Sequence, residues 1–212
     1  MNDNIEAAKI ICPINNSIIY TDKPRIIFTT NDSDRNILIS YITIKNNIGV
    51  FVYTSTRNPE MFSSLSFKKY SHITFIPNNL AEGENIISIR LYNGKRFSIQ
   101  SAINITYIKP LINEVNNNTK ITANLYKDLI TMCNDTLIAY GKDKINVTIP
   151  IKNENKIYRN YFSEVNNKLY DLRNYLNENY PGLNRYKEKQ IIKKDIIKAD
   201  LFNDLLDYIL YP

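Results

Sequence analysis

The chain has 212 residues, 43% apolar and 23% charged, enough for one large core or two small ones. The net charge is +6 and is spread out: 12 basic and 8 acidic side chains lie up to residue 110, and 15 and 13 beyond it. That spread excludes a dedicated nucleic-acid arm, and abundant Lys in a chain rich in Ile, Asn and Tyr follows from AT-rich codons.

The opening MNDNIEAAKIICP is acidic early and has no apolar secretory core, so no signal peptide is expected. No apolar run reaches the roughly 20 residues of a membrane-spanning helix, and no membrane insertion is expected. Up to about residue 108 the period is two. AAKIIC, RIIFTT, NILISYITI, GVFVYTS, HITFIP, NIISIRLY and FSIQSAINITYI read as strands. In NIISIRLY, Ile87, Ile89 and Leu91 share one face while Ile86, Ser88, Arg90 and Tyr92 share the other. Asn93-Gly94 predicts a two-residue hairpin turn, and NNIG at 46–49 predicts a second. About seven short strands without an intervening helix predict an immunoglobulin-like or fibronectin-like β-sandwich over 1–109.

KPLINEVNNNTK reads as a linker, assigned to 110–118, since Pro110 donates to no ladder and the Asn run favours turns. Beyond it the period is helical, and 119–212 is assigned as a small helical domain. Leu125, Leu129, Met132 and Leu137 form one stripe. Tyr161, Val165, Leu169, Leu172 and Leu176 form the next, and Leu201, Leu205 and Ile209 a third. Gly141 and Pro181-Gly182 are helix stops. KINVTIPI reads as a short strand between the first two helices.

One phrase recurs three times: KITANLYKDL, KIYRNYFSEV and IIKADLFNDL, starting near 121, 157 and 197. Ile121, Ile157 and Ile197 would dock the entry of each helix on the core. Asn124, Asn160 and Asp200 fall near the first turn, where a short polar side chain can bond free N–H groups. Tyr126, Phe162 and Phe202 are large enough to fill a core against one another, with Leu129, Val165 and Leu205 behind them. The unequal spacing speaks for a compact three-helix unit over a regular solenoid.

Chemistry-bearing motifs are scarce. Cys12 and Cys133 lie in different halves and read as separate reduced thiols, not a disulfide framework or zinc site. His72 stands alone in YSHITFIP and reads as a sandwich-surface histidine. Asp204 and Asp207, and Glu82 and Glu84, read as solvated pairs rather than catalytic carboxylates. There is no glycine-rich phosphate loop and no nucleophile elbow. RYKEKQIIKKDIIK, 185–198, is basic and reads as a solvated segment before a helix. No cofactor, metal or catalytic residue is assigned.

PINNSIIYTDKPRIIF followed by GENIISIRLYNGKRFS resembles the small Ig-like domains of structural proteins of tailed phages and phage tail-like particles of Firmicutes. The threefold phrase resembles helical repeat domains in tail, baseplate and fibre-associated proteins of the same elements, with Arg159 departing from the small residue of the pattern. The resemblance implies a non-enzymatic structural or adaptor protein in a virion or tail-like particle. It would be present in several copies and bind other tail, baseplate or fibre proteins. The alternative is a module that binds a host-surface glycan. That would require an exposed aromatic cluster at one end of the sandwich.

Overall fold

The structure, a computed structural model, describes residues 5–31, 39–67, 70–116, 119, 122–146, 159–180 and 199–212. These form a β-sandwich with a small helical part. In chain order the strands are β1 (Lys9–Cys12), β2 (Ser17–Ile19), β3 (Ile26–Asn31), β4 (Ile39–Asn46), β5 (Gly49–Thr54), β6 (Phe62–Phe67), β7 (Tyr70–Phe75), β8 (Gly83–Tyr92) and β9 (Ser101–Tyr107). The helices are α1 (Ala123–Ala139), α2 (Arg159–Asn179) and α3 (Ala199–Leu210). One sheet runs β1-β3-β7-β6 and the other β2-β9-β8-β4-β5.

The strand pattern is richer than the sequence periods suggest. β2 and β6 go unpredicted because neither carries an alternating apolar row: β2 is three residues long and β6 reads FSSLSF. β2 is held by parallel pairing with β9, a contact 88 residues away that no local signal announces (Ser17↔Ile105). FSIQSAINITYI is not one strand. Phe97 bridges Tyr92 by itself, and β9 starts at Ser101. The Asn93-Gly94 turn therefore encloses the four residues 93–96 rather than two, with Gly94 at φ 90° and the Asn93 N–H donating to the Arg96 carbonyl. The hairpin expected at 46–49 is present, with a two-residue turn closing on the pair Asn46↔Gly49. KINVTIPI shows no strand where it is described: Ile145 is buried in a loop whose backbone is held by Asn134, and 147–151 lie outside the described residues.

The two sheets differ in what covers them. In β4 and β8 burial alternates strictly. Ile42, Ile44, Ile87, Ile89 and Leu91 are fully buried and the intervening residues look outward. In β3 there is no alternation, because Ile26, Ile27 and Phe28 are all fully buried. A strand covered on both faces reads as a continuous apolar run. The second cover is helical. The His72 ring on β7 lies 5.0 Å from Tyr180 at the end of α2. Arg25 Nη1 donates to Asn177 Oδ1 at 3.0 Å, the Arg25 N–H donates to the Tyr140 hydroxyl at 3.1 Å, and the Ile14 N–H donates to the Ala139 carbonyl at 2.8 Å. The end of α2 thus covers part of the outer face of the four-stranded sheet, and α1 packs on β2 at one edge of the five-stranded sheet. Their residues and those of the sandwich belong to one continuous buried cluster.

α1 starts at Thr122, whose hydroxyl accepts from the Leu125 N–H, and ends at Gly141 with φ 72°. The cap is therefore Thr122 and not Asn124, which sits exposed one position inside the helix. α3 is tied to the segment before α1 by Asn203, whose side chain bonds both the N–H and the carbonyl of Val115.

Candidate interaction face

Away from β2, where α1 packs, the outer face of the five-stranded sheet is left open. Strand register decides what it displays. Tyr41 stands opposite Arg90, Thr43 opposite Ser88 and Lys45 opposite Ile86. On the other side of β4, Val52 stands opposite Thr43 and Val50 opposite Lys45. Val50 and Val52 are each 61% exposed.

At one end the face carries an aromatic cluster. Ring centroids are 4.8 Å apart for Tyr92 and Phe97, 5.2 Å for Tyr41 and Phe97, and 6.4 Å for Tyr41 and Tyr92. Tyr41 meets both neighbours edge-on, the favoured arrangement for ring quadrupoles. The Arg90 guanidinium lies over the Phe97 ring at 4.7 Å. The backbone holds these groups in place. The Leu91 N–H donates to the buried Ser98 hydroxyl at 3.0 Å, and the Ser98 N–H returns to the Leu91 carbonyl at 2.8 Å. Asn93 Oδ1 accepts from the Lys95 and Arg96 N–H groups, and the Tyr92 hydroxyl donates to the Gly94 carbonyl. Phe97 itself and Ile99 are exposed here and Ile86 is exposed further along the face, while Lys45, Arg90, Lys95 and Arg96 supply exposed positive charge.

Beneath the far end lies a polar lock. Asn85 is fully buried and makes four hydrogen bonds. Its Oδ1 accepts from Asn46 Nδ2 and the Ala81 N–H, and its Nδ2 donates to the carbonyls of Ala81 and Gly83. The β4–β5 hairpin is thereby fixed to the start of β8.

The repeat positions lie elsewhere. Tyr126 and Phe162 approach to 5.1 Å, Phe162 and Phe202 to 6.2 Å, and Leu129, Val165 and Leu205 are fully buried with them. Asn160 and Asp200 occupy the second positions of α2 and α3. Ile121, Ile157, Ile197 and the basic segment 185–198 lie outside the described residues. The alternation of NIISIRLY already placed Ile86, Arg90 and Tyr92 on one side. Tyr41 and Phe97 could be joined to them only through strand register.

The two thiols are buried, and desolvation pushes each up to about 12. Burial likewise lowers the Arg25 value beside Tyr140. Among the described residues no group of three or more His, Cys, Asp or Glu side chains could hold a metal ion, and no described helix is long and apolar enough to cross a membrane.

No family model and no curated protein matches the sequence. Among solved structures, the chain is similar to an endo-β-1,4-mannanase from Thermotoga petrophila, with TM-score 0.39 and 8% identity over 51% of this chain and 21% of that one. It is also similar to the multi-modular cell-surface chitinase ChiW of Paenibacillus, with TM-score 0.38 and 18% identity over 57% of this chain and 11% of that one. CopC of Methylosinus trichosporium gives TM-score 0.32 and 14% identity over 50% of this chain and 97% of that one. The chain thus spans about a fifth and a tenth of the two enzymes, and these likenesses say nothing of its own activity.

Proposed function

We propose that the chain is a non-enzymatic structural or adaptor component of a phage tail or tail-like particle, at a baseplate or fibre attachment. In this reading it binds neighbouring proteins through the outer face of the five-stranded sheet. The observation that carries the reading is the asymmetry of cover: α2 ends on the four-stranded sheet and α1 packs on β2, while the rest of the five-stranded sheet presents Tyr41, Tyr92, Phe97 and Arg90 outward. Aromatic rings with an arginine, flanked by apolar side chains and rimmed by charge, have the composition of protein-binding hot spots. Lys45, Lys95 and Arg96 would favour a partner with an acidic rim. The strand orders support an Ig-like identity for the sandwich. They correspond to the two sheets of that fold with one added strand, β5, and with the opening strand divided between the sheets. The particle setting rests on the resemblance of PINNSIIYTDKPRIIF and GENIISIRLYNGKRFS, and several copies in a symmetric assembly follow from it.

The test is fractionation. Resident phage or tail-like elements in the source culture are induced, high-mass particles are pelleted, and peptides of this chain are quantified in pellet and supernatant. Enrichment in the pellet at a fixed ratio to tail proteins supports the reading. A chain found only as a small soluble species defeats it.

The aromatic cluster also raises glycan binding as a second reading. Sugars stack on open ring faces, whereas Arg90 already lies over Phe97 and the Tyr41 ring meets its neighbours edge-on. This favours a protein partner, and a glycan array that scores Tyr92→Ala against the unaltered chain separates the two.

A further inference from the structure

We infer that β5 is the pairing edge for β5 of a second copy of this chain, joining two five-stranded sheets across a twofold axis. The contact lies beside the aromatic cluster and does not depend on the particle reading.

The sheet edges are finished in different ways. β1 is interrupted by a register shift between Ile10 and Cys12 and begins at the exposed Lys9. β2 is three residues long, and β6, though as long and regular as β5, is half serine and offers less apolar surface to cover. Shortness, bulges and charge all discourage strand addition. β5 has none of them. It is GVFVYT, uncharged, in unbroken register with β4 from Asn46↔Gly49 to Tyr41↔Thr54, and it ends the sheet order.

The open stretch has defined limits. Asn46↔Gly49 closes a two-residue turn, so Gly49, Phe51 and Tyr53 direct their backbone groups to β4, while Val50, Val52 and Thr54 direct theirs to the open side. Thr54 is already occupied. Its N–H donates to Asn58 Oδ1 at 3.3 Å, and its carbonyl accepts from the Asn58 N–H at 2.9 Å. What is left for a partner is Gly49–Tyr53, centred on Phe51.

That stretch is complementary to itself. Antiparallel pairing about Phe51 sets Val50 against Val52 of the other copy on the outer face, twice. On the inner face Phe51 meets Phe51, and Gly49, which brings no side chain, falls opposite Tyr53, whose ring stays buried against Phe75 with its hydroxyl bonded to Asn78 and Asn79. Val50 and Val52 pair through their outward backbone groups, as the ladder requires. No like charges face each other in the strand, and the valines exposed in the single chain become covered.

Sedimentation of the full chain across a concentration series tests this. The unaltered chain is expected to dimerise, and Val52→Lys to weaken association by at least about tenfold, because each copy would bring an ammonium against valine. The substitution is at an exposed position, and an unchanged circular dichroism spectrum verifies the fold. A chain that stays monomeric up to about 1 mM overturns the inference, as does a dimer indifferent to Val52→Lys. Register is read separately. A mixture of Val50→Cys and Val52→Cys chains under mild oxidation should give a disulfide-linked heterodimer. Each variant alone should not, since like positions would lie beyond the roughly 7 Å Cα limit. Equal crosslinking of one variant with itself overturns the register. The native thiols are buried and do not compete.

Discussion

The Tyr20 hydroxyl donates to Asp135 Oδ2 at 2.7 Å, joining the residue after β2 to the C-terminal part of α1 across 115 positions of sequence. A hydrogen bond to a carboxylate contributes about 1.5–3 kcal/mol when partly shielded from water. Tyr20→Phe keeps the ring and removes only the donor. We expect a loss near the lower end of that range in urea unfolding. If the helices and sandwich share their core energetically as well as geometrically, helix dichroism and tyrosine fluorescence will still report one coincident transition.

Asn85 has no solvent to fall back on. Asn85→Ala takes this partner from the Ala81 N–H and two carbonyls at once and leaves the Asn46 amide only its bond to the Asn79 carbonyl. Each buried unpaired group costs about 1–3 kcal/mol, partly relieved where water enters. The expected loss is about 3 kcal/mol or more by chemical denaturation. Hydrogen exchange should show faster opening at the β4–β5 hairpin than in the helices.

Phe162 is the middle ring of the three repeat aromatics, between Tyr126 and Phe202. Phe162→Ala opens a cavity there and should cost about 3–5 kcal/mol, while Phe162→Leu, which refills most of the space, should cost markedly less. Thermal melts of the two variants measure the difference.

Alkaline pH should destabilise the fold. Burial raises Cys12 and Cys133 from an ordinary 9.0 to about 12, and burial also raises Tyr20 and Tyr140. A raised folded value means the unfolded chain loses its proton first. The stabilisation is then complete below pH 9 and declines as pH rises from 9 toward about 12. The Cys12→Ala/Cys133→Ala double variant should show a shallower decline over that window, whatever its absolute stability. At pH 8 both native thiols should react with a disulfide reagent only on unfolding.

Local periodicity determined much of this protein. Ile42 and Ile44, and Ile87, Ile89 and Leu91, declare the buried face of β4 and β8, because a pleated strand with one wet side must alternate. The helical stripes through Leu129, Val165 and Leu205, and the turn at 46–49, are equally local. Tertiary structure alone decided the rest. Why RIIFTT lacks alternation depends on helices more than 100 residues away. β2 exists because of β9, and the loop at 93–96 is set by the single bridge from Tyr92 to Phe97. The candidate face is of this second kind. Tyr41, Arg90, Tyr92 and Phe97 are ordinary residues in their own segments, and only strand register places them side by side. Which part of the five-stranded sheet stays open was decided by where the helices pack, against Arg25, His72 and β2, and not by any motif.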